Sequence, residues 1–176
     1  MLDYVGYFFV YSFAGFLLET LFALVFQGGF AMRKCFLLFP MCPVYGFGAL
    51  AILLLAGSFK QNLFAVFGIG MLAASAVEYI TDLVYREAIG VAFWDYNDMP
   101  MNINGRVCLL FSFLWGLLSV VLVRFLHPGV ERMIKATPRG LLITLLILFL
   151  IDAAASTVLL TRYKNKEVLN LFSHMK

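Results

Sequence analysis

Four acidic residues, Glu19, Glu78, Asp82 and Asp152, stand inside apolar runs of this sequence, where a carboxylate has to be paired or put to use. Glu78, Asp82 and Arg86 follow one another at four-residue intervals, so a helix stacks them on one face and lets Asp82 pair with Arg86. Glu78 then needs a partner from elsewhere, and Arg106 or Arg33 is expected to supply it. Acids within a membrane can relay protons, and arginines beside them can hold anionic groups through paired N–H bonds. Two carboxylates in unlike surroundings can also divide acid and base roles, as an enzyme acting on a lipid or isoprenoid-like substrate would require. The chemistry to expect is ion or proton coupling, anion binding, or carboxylate catalysis.

Other chemistries lack their residues. There is no GxxxxGK[ST] loop to cradle nucleotide phosphates and no HExxH helix to bind zinc. The histidines, His127 and His174, lie outside the apolar runs, so Ser12, Ser75 and Ser112 have no base in reach and are expected to pack helices instead. Cys35, Cys42 and Cys108 are odd in number and form no CxxC pair, which argues against a zinc site or disulfide framework and favours buried or lipid-facing thiols. No metal or cofactor is implied. The basic residues cluster at the ends of apolar runs, a placement for lipid headgroups rather than nucleic acid.

The elements that carry these residues are set by composition. With 63% hydrophobic and 13% charged residues, 19 phenylalanines and a mean hydropathy of +0.94, the chain cannot cover itself with a water-facing surface. An all-α polytopic membrane protein is expected, as one bundle of about five transmembrane helices over residues 5–26, 44–56, 63–89, 107–126 and 140–160. The first run has no basic n-region and no A-x-A site, so it is expected to be a retained span. Pro40 and Pro43 break the apolar stretch between the first two spans, so a re-entrant or interfacial segment is expected near residues 35–43. His127-Pro128-Gly129 is expected to end the fourth span.

Depth adds a second argument. The first, third and fifth spans run towards the same face, called side B here, and each acid lies past the midpoint of its span. Arg33, Asp95 and Arg106 approach from loops on that same face, and the loop between the third and fourth spans also holds Trp94, Tyr96, Asn102 and Asn104. Gly68, Gly70, Ala73, Ala74, Ser75 and Ala76 give the third span a small-residue surface suited to a central helix. Asp152, without a matching base, is expected to lock helices, and Trp94, Tyr96 and Trp115 to anchor at the interface. Lys and Arg number eight on side B against five on the other face, a cytoplasmic bias that narrows to six against five if Arg86 and Arg106 serve an internal site.

The blocks Pro43-Val44-Tyr45-Gly46-Phe47-Gly48-Ala49, Trp94-Asp95-Tyr96-Asn97 and Asn102-Ile103-Asn104-Gly105-Arg106-Val107-Cys108-Leu109, with Gly15, Glu19, Glu78, Ser112 and Trp115-Gly116, resemble the bacterial "putative ABC-transporter type IV" family. Met32-Arg33-Lys34 and Phe39-Pro40 stand where that family often has N-R-G and G-P, though Arg33 is kept. The resemblance implies a permease-like membrane protein whose polar signature is Glu19, Arg33, Tyr45, Glu78, Trp94, Asp95, Tyr96, Asn104 and Arg106. A transport component with a carboxylate–arginine site is the leading expectation, with a lipid-modifying intramembrane enzyme or an accessory assembly protein as alternatives. Expected partners are membrane lipids, a separate ATPase subunit if nucleotide drives transport, and further copies of the chain.

Overall fold

A long apolar run in a bilayer must satisfy every backbone N–H and C=O internally, and helix is the local way to do so. The computed structural model describes residues 1–26, 36 and 38–169 and shows this outcome. Its helices are α1 (Leu2–Phe26), α2 (Pro43–Ala56), α3 (Leu63–Val84), α4 (Leu109–Val121), α5 (His127–Ala136) and α6 (Arg139–Tyr163). Among the described residues, Leu2–Val25, Leu63–Ile89, Leu109–Ala136 and Arg139–Tyr163 are each long and apolar enough to cross a membrane, while Pro43–Phe59 is a shorter apolar helix. The all-α membrane bundle is therefore as expected, with four full-length helices and one short one.

Helices α1, α2, α3 and α4 pack in sequence order, α2 lying between α1 and α3. Small residues set the spacing: a Cβ added at Gly70 would run into Ser119, and one at Gly46 into Ser12. Of the small-residue surface expected on α3, Gly70, Ala73 and Ala74 are buried and Ser75 donates to Ser112 Oγ at 2.7 Å, whereas Gly68 and Ala76 face outward. The core joins Tyr7 and Tyr11 of α1 to Ile52 and Ala56 of α2, so α2 runs back towards the N-terminal end of α1.

The start of α2 lies deep. The Cys42 N–H donates to Ser12 O at 2.9 Å, which places the first turn of α2 beside the middle of α1. The described residues before it, 36 and 38–42, are not helical, in keeping with the break expected near 35–43. Irregular backbone inside a bundle needs internal partners. Asp152 of α6 supplies them: its carboxylate accepts the Leu38 N–H at 3.1 Å and the Phe39 N–H at 2.9 Å. Asp152 thus caps a backbone segment instead of pairing two helices. Around that cap Phe8, Phe9, Phe36 and Met41 pack with Phe149 of α6.

The fourth span does not end at His127. A turn of π-helix, Leu122–Leu126, leads directly into α5, and Pro128 falls in the first turn of α5, where a missing N–H is tolerated. The resulting 28-residue stretch is about 42 Å long, more than the hydrocarbon core requires, so its charged end with Arg132 and Lys135 extends past it.

The loop expected between the third and fourth spans also has structure. The third span ends in a π-helical turn, Tyr85–Ile89, and in the loop after it Asn102–Ile103 (β1) pairs antiparallel with Val107–Cys108 (β2), Ile103 opposite Val107. Asn104 and Gly105, at φ +54° and +65°, make the turn between them.

Candidate functional site

Glu78 is only 4% exposed, and both of its oxygens are engaged. Tyr96 OH donates to Oε1 and Trp115 Nε1 to Oε2, each at 2.9 Å. The close packing of α3 on α4 brings Trp115 there. Tyr96 descends from the loop and stacks on Phe111 of α4, with ring centroids 4.9 Å apart. Burial first, then the Glu78 carboxylate, pushes the Tyr96 phenol well above its ordinary pKa, so it stays a donor. Against Trp115 packs Tyr45, tilted at 5.0 Å between centroids, whose hydroxyl donates to Glu19 Oε1 at 2.8 Å. Gly15 makes room for that ring, since a Cβ there would overlap Tyr45. Carboxylates from α1 and α3 are thereby linked through aromatic donors of α2, α4 and the loop.

One turn nearer side B, Asp82 gathers the cations. Its Oδ2 lies 2.6 Å from Arg86 Nε and 3.4 Å from Arg106 Nε, while Oδ1 has no hydrogen-bond partner among the described residues. Arg86 Nη2 donates to Trp94 O at 2.7 Å and lies 3.9 Å from Asp95 Oδ1. Arg106 Nη2 donates to Glu87 Oε1 at 2.9 Å, and its guanidinium lies over the Tyr79 ring. The Tyr79 hydroxyl also accepts from Asn104 and Arg106, a bond that holds the Arg106 guanidinium above its ordinary pKa. Trp94 Nε1 closes the ring by donating to Arg106 O at 2.9 Å.

Loop residues hold this shape locally. Asn102 donates to the carbonyls of Asn97 and Met99 and accepts the Gly105 N–H, while Tyr96 N–H donates to Gly105 O at 2.8 Å. From the far side, Lys164 Nζ donates to Ile89 O at 2.6 Å and Lys166 Nζ to Phe93 O at 3.2 Å, so the chain following α6 straps the loop. Gly105→Ala would place a Cβ 2.6 Å from the Asn97 side chain in a left-handed conformation. The expected result is a loss of about 1–3 kcal/mol of local stability, seen as faster amide exchange across residues 96–108 with α6 unchanged.

The structure thus forms two hydrogen-bonded sets, Tyr45 on Glu19 and Tyr96 with Trp115 on Glu78, that meet through the Tyr45–Trp115 ring contact, and brings Asp82, Trp94, Asp95, Asn104 and Arg106 into an adjoining ionic group. Asn102 serves the hairpin. Arg33 lies outside the described residues. Arg106 pairs with Asp82 and Glu87 and not with Glu78, because the Asn104-Gly105 turn delivers it to the rim while Glu78 lies a turn deeper. Among the described residues no Lys or Arg is within ion-pair distance of Glu78. Trp94, Tyr96 and Trp115 each spend their polar donor on a partner within the protein, Arg106 O for Trp94 and Glu78 for the other two. Tyr79 and Glu87 were not singled out from sequence. Tyr79 carried a signal in its place beside Glu78, but Glu87 is off the Asp82 face of a regular helix and joins the cluster through the π-helical turn.

Fold and side chains together define a multi-pass helical membrane protein with buried carboxylates bridged between helices. A family model matches residues 6–159, and the chain belongs to that family, described as putative ABC-transporter type IV. The match spans both side-chain groups and makes the chain an ABC-transporter-type membrane component. No curated protein and no solved structure matches it.

Proposed function

We propose that the chain is the membrane-spanning permease of a transport system, with Glu78 and Glu19 as the groups that meet the transported species or a coupled proton. The loop of residues 90–108 is the gate on side B. The observation that carries this reading is the Tyr96–Glu78 hydrogen bond, through which a loop outside the helices reaches a buried acid whose donors among the described residues are neutral. A gate must be released without stranding a charge. Tyr96 withdraws as a neutral phenol, while Asp82, Arg86 and Arg106 keep the loop aligned for reclosure. Because the sequence has no phosphate-binding loop, nucleotide would be hydrolysed by a separate ATPase subunit.

The test compares cells lacking the protein with cells carrying wild type, Glu78→Gln or Tyr96→Phe, each verified to accumulate in the membrane. Untargeted mass spectrometry of cells and medium reads the species whose distribution changes. Glu78→Gln is expected to abolish the restored distribution and Tyr96→Phe to leave a transporter with at least tenfold reduced rate. Wild-type distribution with Glu78→Gln, in a chain that accumulates normally, rules out a transport role for this acid. Failure of both variants to accumulate assigns the group to helix packing, as in an accessory protein.

A further inference from the structure

Helices α1 and α4 do not close on each other along their whole length. At one end α1 is tied to α5, the continuation of α4, where Ile134 lies against Gly6 and His127 meets the Tyr7 ring at 4.9 Å and Tyr11 OH at 3.0 Å. Beyond that tie α1 and the α4 stretch flank a crevice of about 70 Å³ over α2. Ala14, Gly15 and Leu18 form one wall and Leu118 and Leu122 the other, with Tyr45, Ile52 and Trp115 at the back.

We propose that this crevice seats one hydrocarbon chain of a membrane phospholipid, which makes a lipid the substrate class of the permease proposed above and the bilayer its route of entry. The size of the crevice decides against another helix, whose body is about 10 Å across. The lining offers no charged group and almost no polar surface, so a water-soluble solute would leave its hydration shell without compensation. Position supplies the functional argument. Tyr45 and Trp115 line the crevice, and the hydroxyl and indole N–H of the same two residues donate to Glu19 and Glu78. A chain seated there presses on one donor to each carboxylate, Tyr45 on Glu19 and Trp115 on Glu78, while Tyr96 keeps its own bond to Glu78. The proposal rests on the transport reading of that centre.

The chain has two tryptophans, so Trp94→Phe leaves Trp115 as the only one. Its fluorescence is compared in phosphatidylcholine vesicles with and without bromine midway along the acyl chains. A seated chain is expected to quench Trp115 at least twofold, and Ala14→Phe, which fills the crevice from α1, to remove at least half of that quenching. In parallel, the chain with both tryptophans, released from phosphatidylcholine vesicles into native mass spectrometry, is expected to keep one phospholipid that the Ala14→Phe chain lacks. Equal fluorescence in the two vesicles, or quenching and retention unaltered by Ala14→Phe, overturns the proposal. These readings do not depend on Glu78. A Glu78→Gln defect with an empty crevice removes the lipid assignment and leaves the permease, whereas an occupied crevice with a silent Glu78→Gln leaves the lipid seat and removes its link to transport.

Discussion

Replacing Asp152 by Ala is expected to open the segment ahead of α2 and to raise the reactivity of Cys42 towards thiol reagents about 100-fold or more, with little change at Cys108. Asp152 is 2% exposed and accepts the Leu38 and Phe39 N–H groups; no other hydrogen bond to either N–H is seen among the described residues. A buried N–H left without its acceptor costs about 1–3 kcal/mol, and because these two are only part-buried, about 3 kcal/mol for both together is a fair figure. A local opening favoured by about 3 kcal/mol corresponds to roughly 100-fold in open population. Cys42 reports it well, since its thiol is buried and its own N–H ties the same segment to Ser12. Asp152→Asn keeps one acceptor oxygen and should show a smaller rise. Peptide mass spectrometry after timed maleimide labelling in detergent gives both rates in one sample. An unchanged Cys42 rate in Asp152→Ala would mean that Phe36, Met41 and Phe149 hold the segment without the cap.

That residue shows how far the sequence could be read. The cost of a charge in an apolar run singled out Asp152 and implied that it was engaged, but not with what. Its partners are backbone N–H groups, which carry no signature of residue type. The helical class and most spans followed from run length alone, because a bilayer allows little else. Pro128 misled because its effect depends on register: after a π-helical turn it occupies the first turn of a new segment and does not break the helix. Glu78, Asp82 and Arg86 were legible as one face of α3, and Asp82 does pair with Arg86. The partner of Glu78 was not, since opposite charge is the natural guess for a buried acid while Tyr96 and Trp115 had an ordinary reading as membrane anchors. A better clue was available. Asn104-Gly105 is a hairpin turn, and folding the loop there draws Arg106 back beside Trp94 at the rim and away from the depth of Glu78.

The same hairpin makes Asp82 the residue whose loss should most disturb the loop. Asp82 is 1% exposed and one of its oxygens faces the Nε of both Arg86 and Arg106. Each arginine in turn binds the loop, Arg86 through Trp94 O and Arg106 as part of it. Asp82→Ala leaves two guanidinium groups facing each other with Glu87 and Asp95 at the edge. Breaking a fully buried ion pair costs about 3–5 kcal/mol, and because the Arg86 side chain is 24% exposed, about 2 kcal/mol is a fairer figure for that pair. The expected result is at least a tenfold faster labelling of the buried Cys108 on β2, with Cys42 unchanged, the reverse of the Asp152→Ala pattern. If the loop is the gate, the same variant should leak: vesicles containing it would equilibrate the transported species without an energy source, and Tyr96→Phe combined with it would add little, because the Tyr96–Glu78 contact has already been lost in the opened state. Labelling of Cys42 and Cys108 that rose together would show that the loop and the segment ahead of α2 open as one unit, and the separate gate would have to be given up.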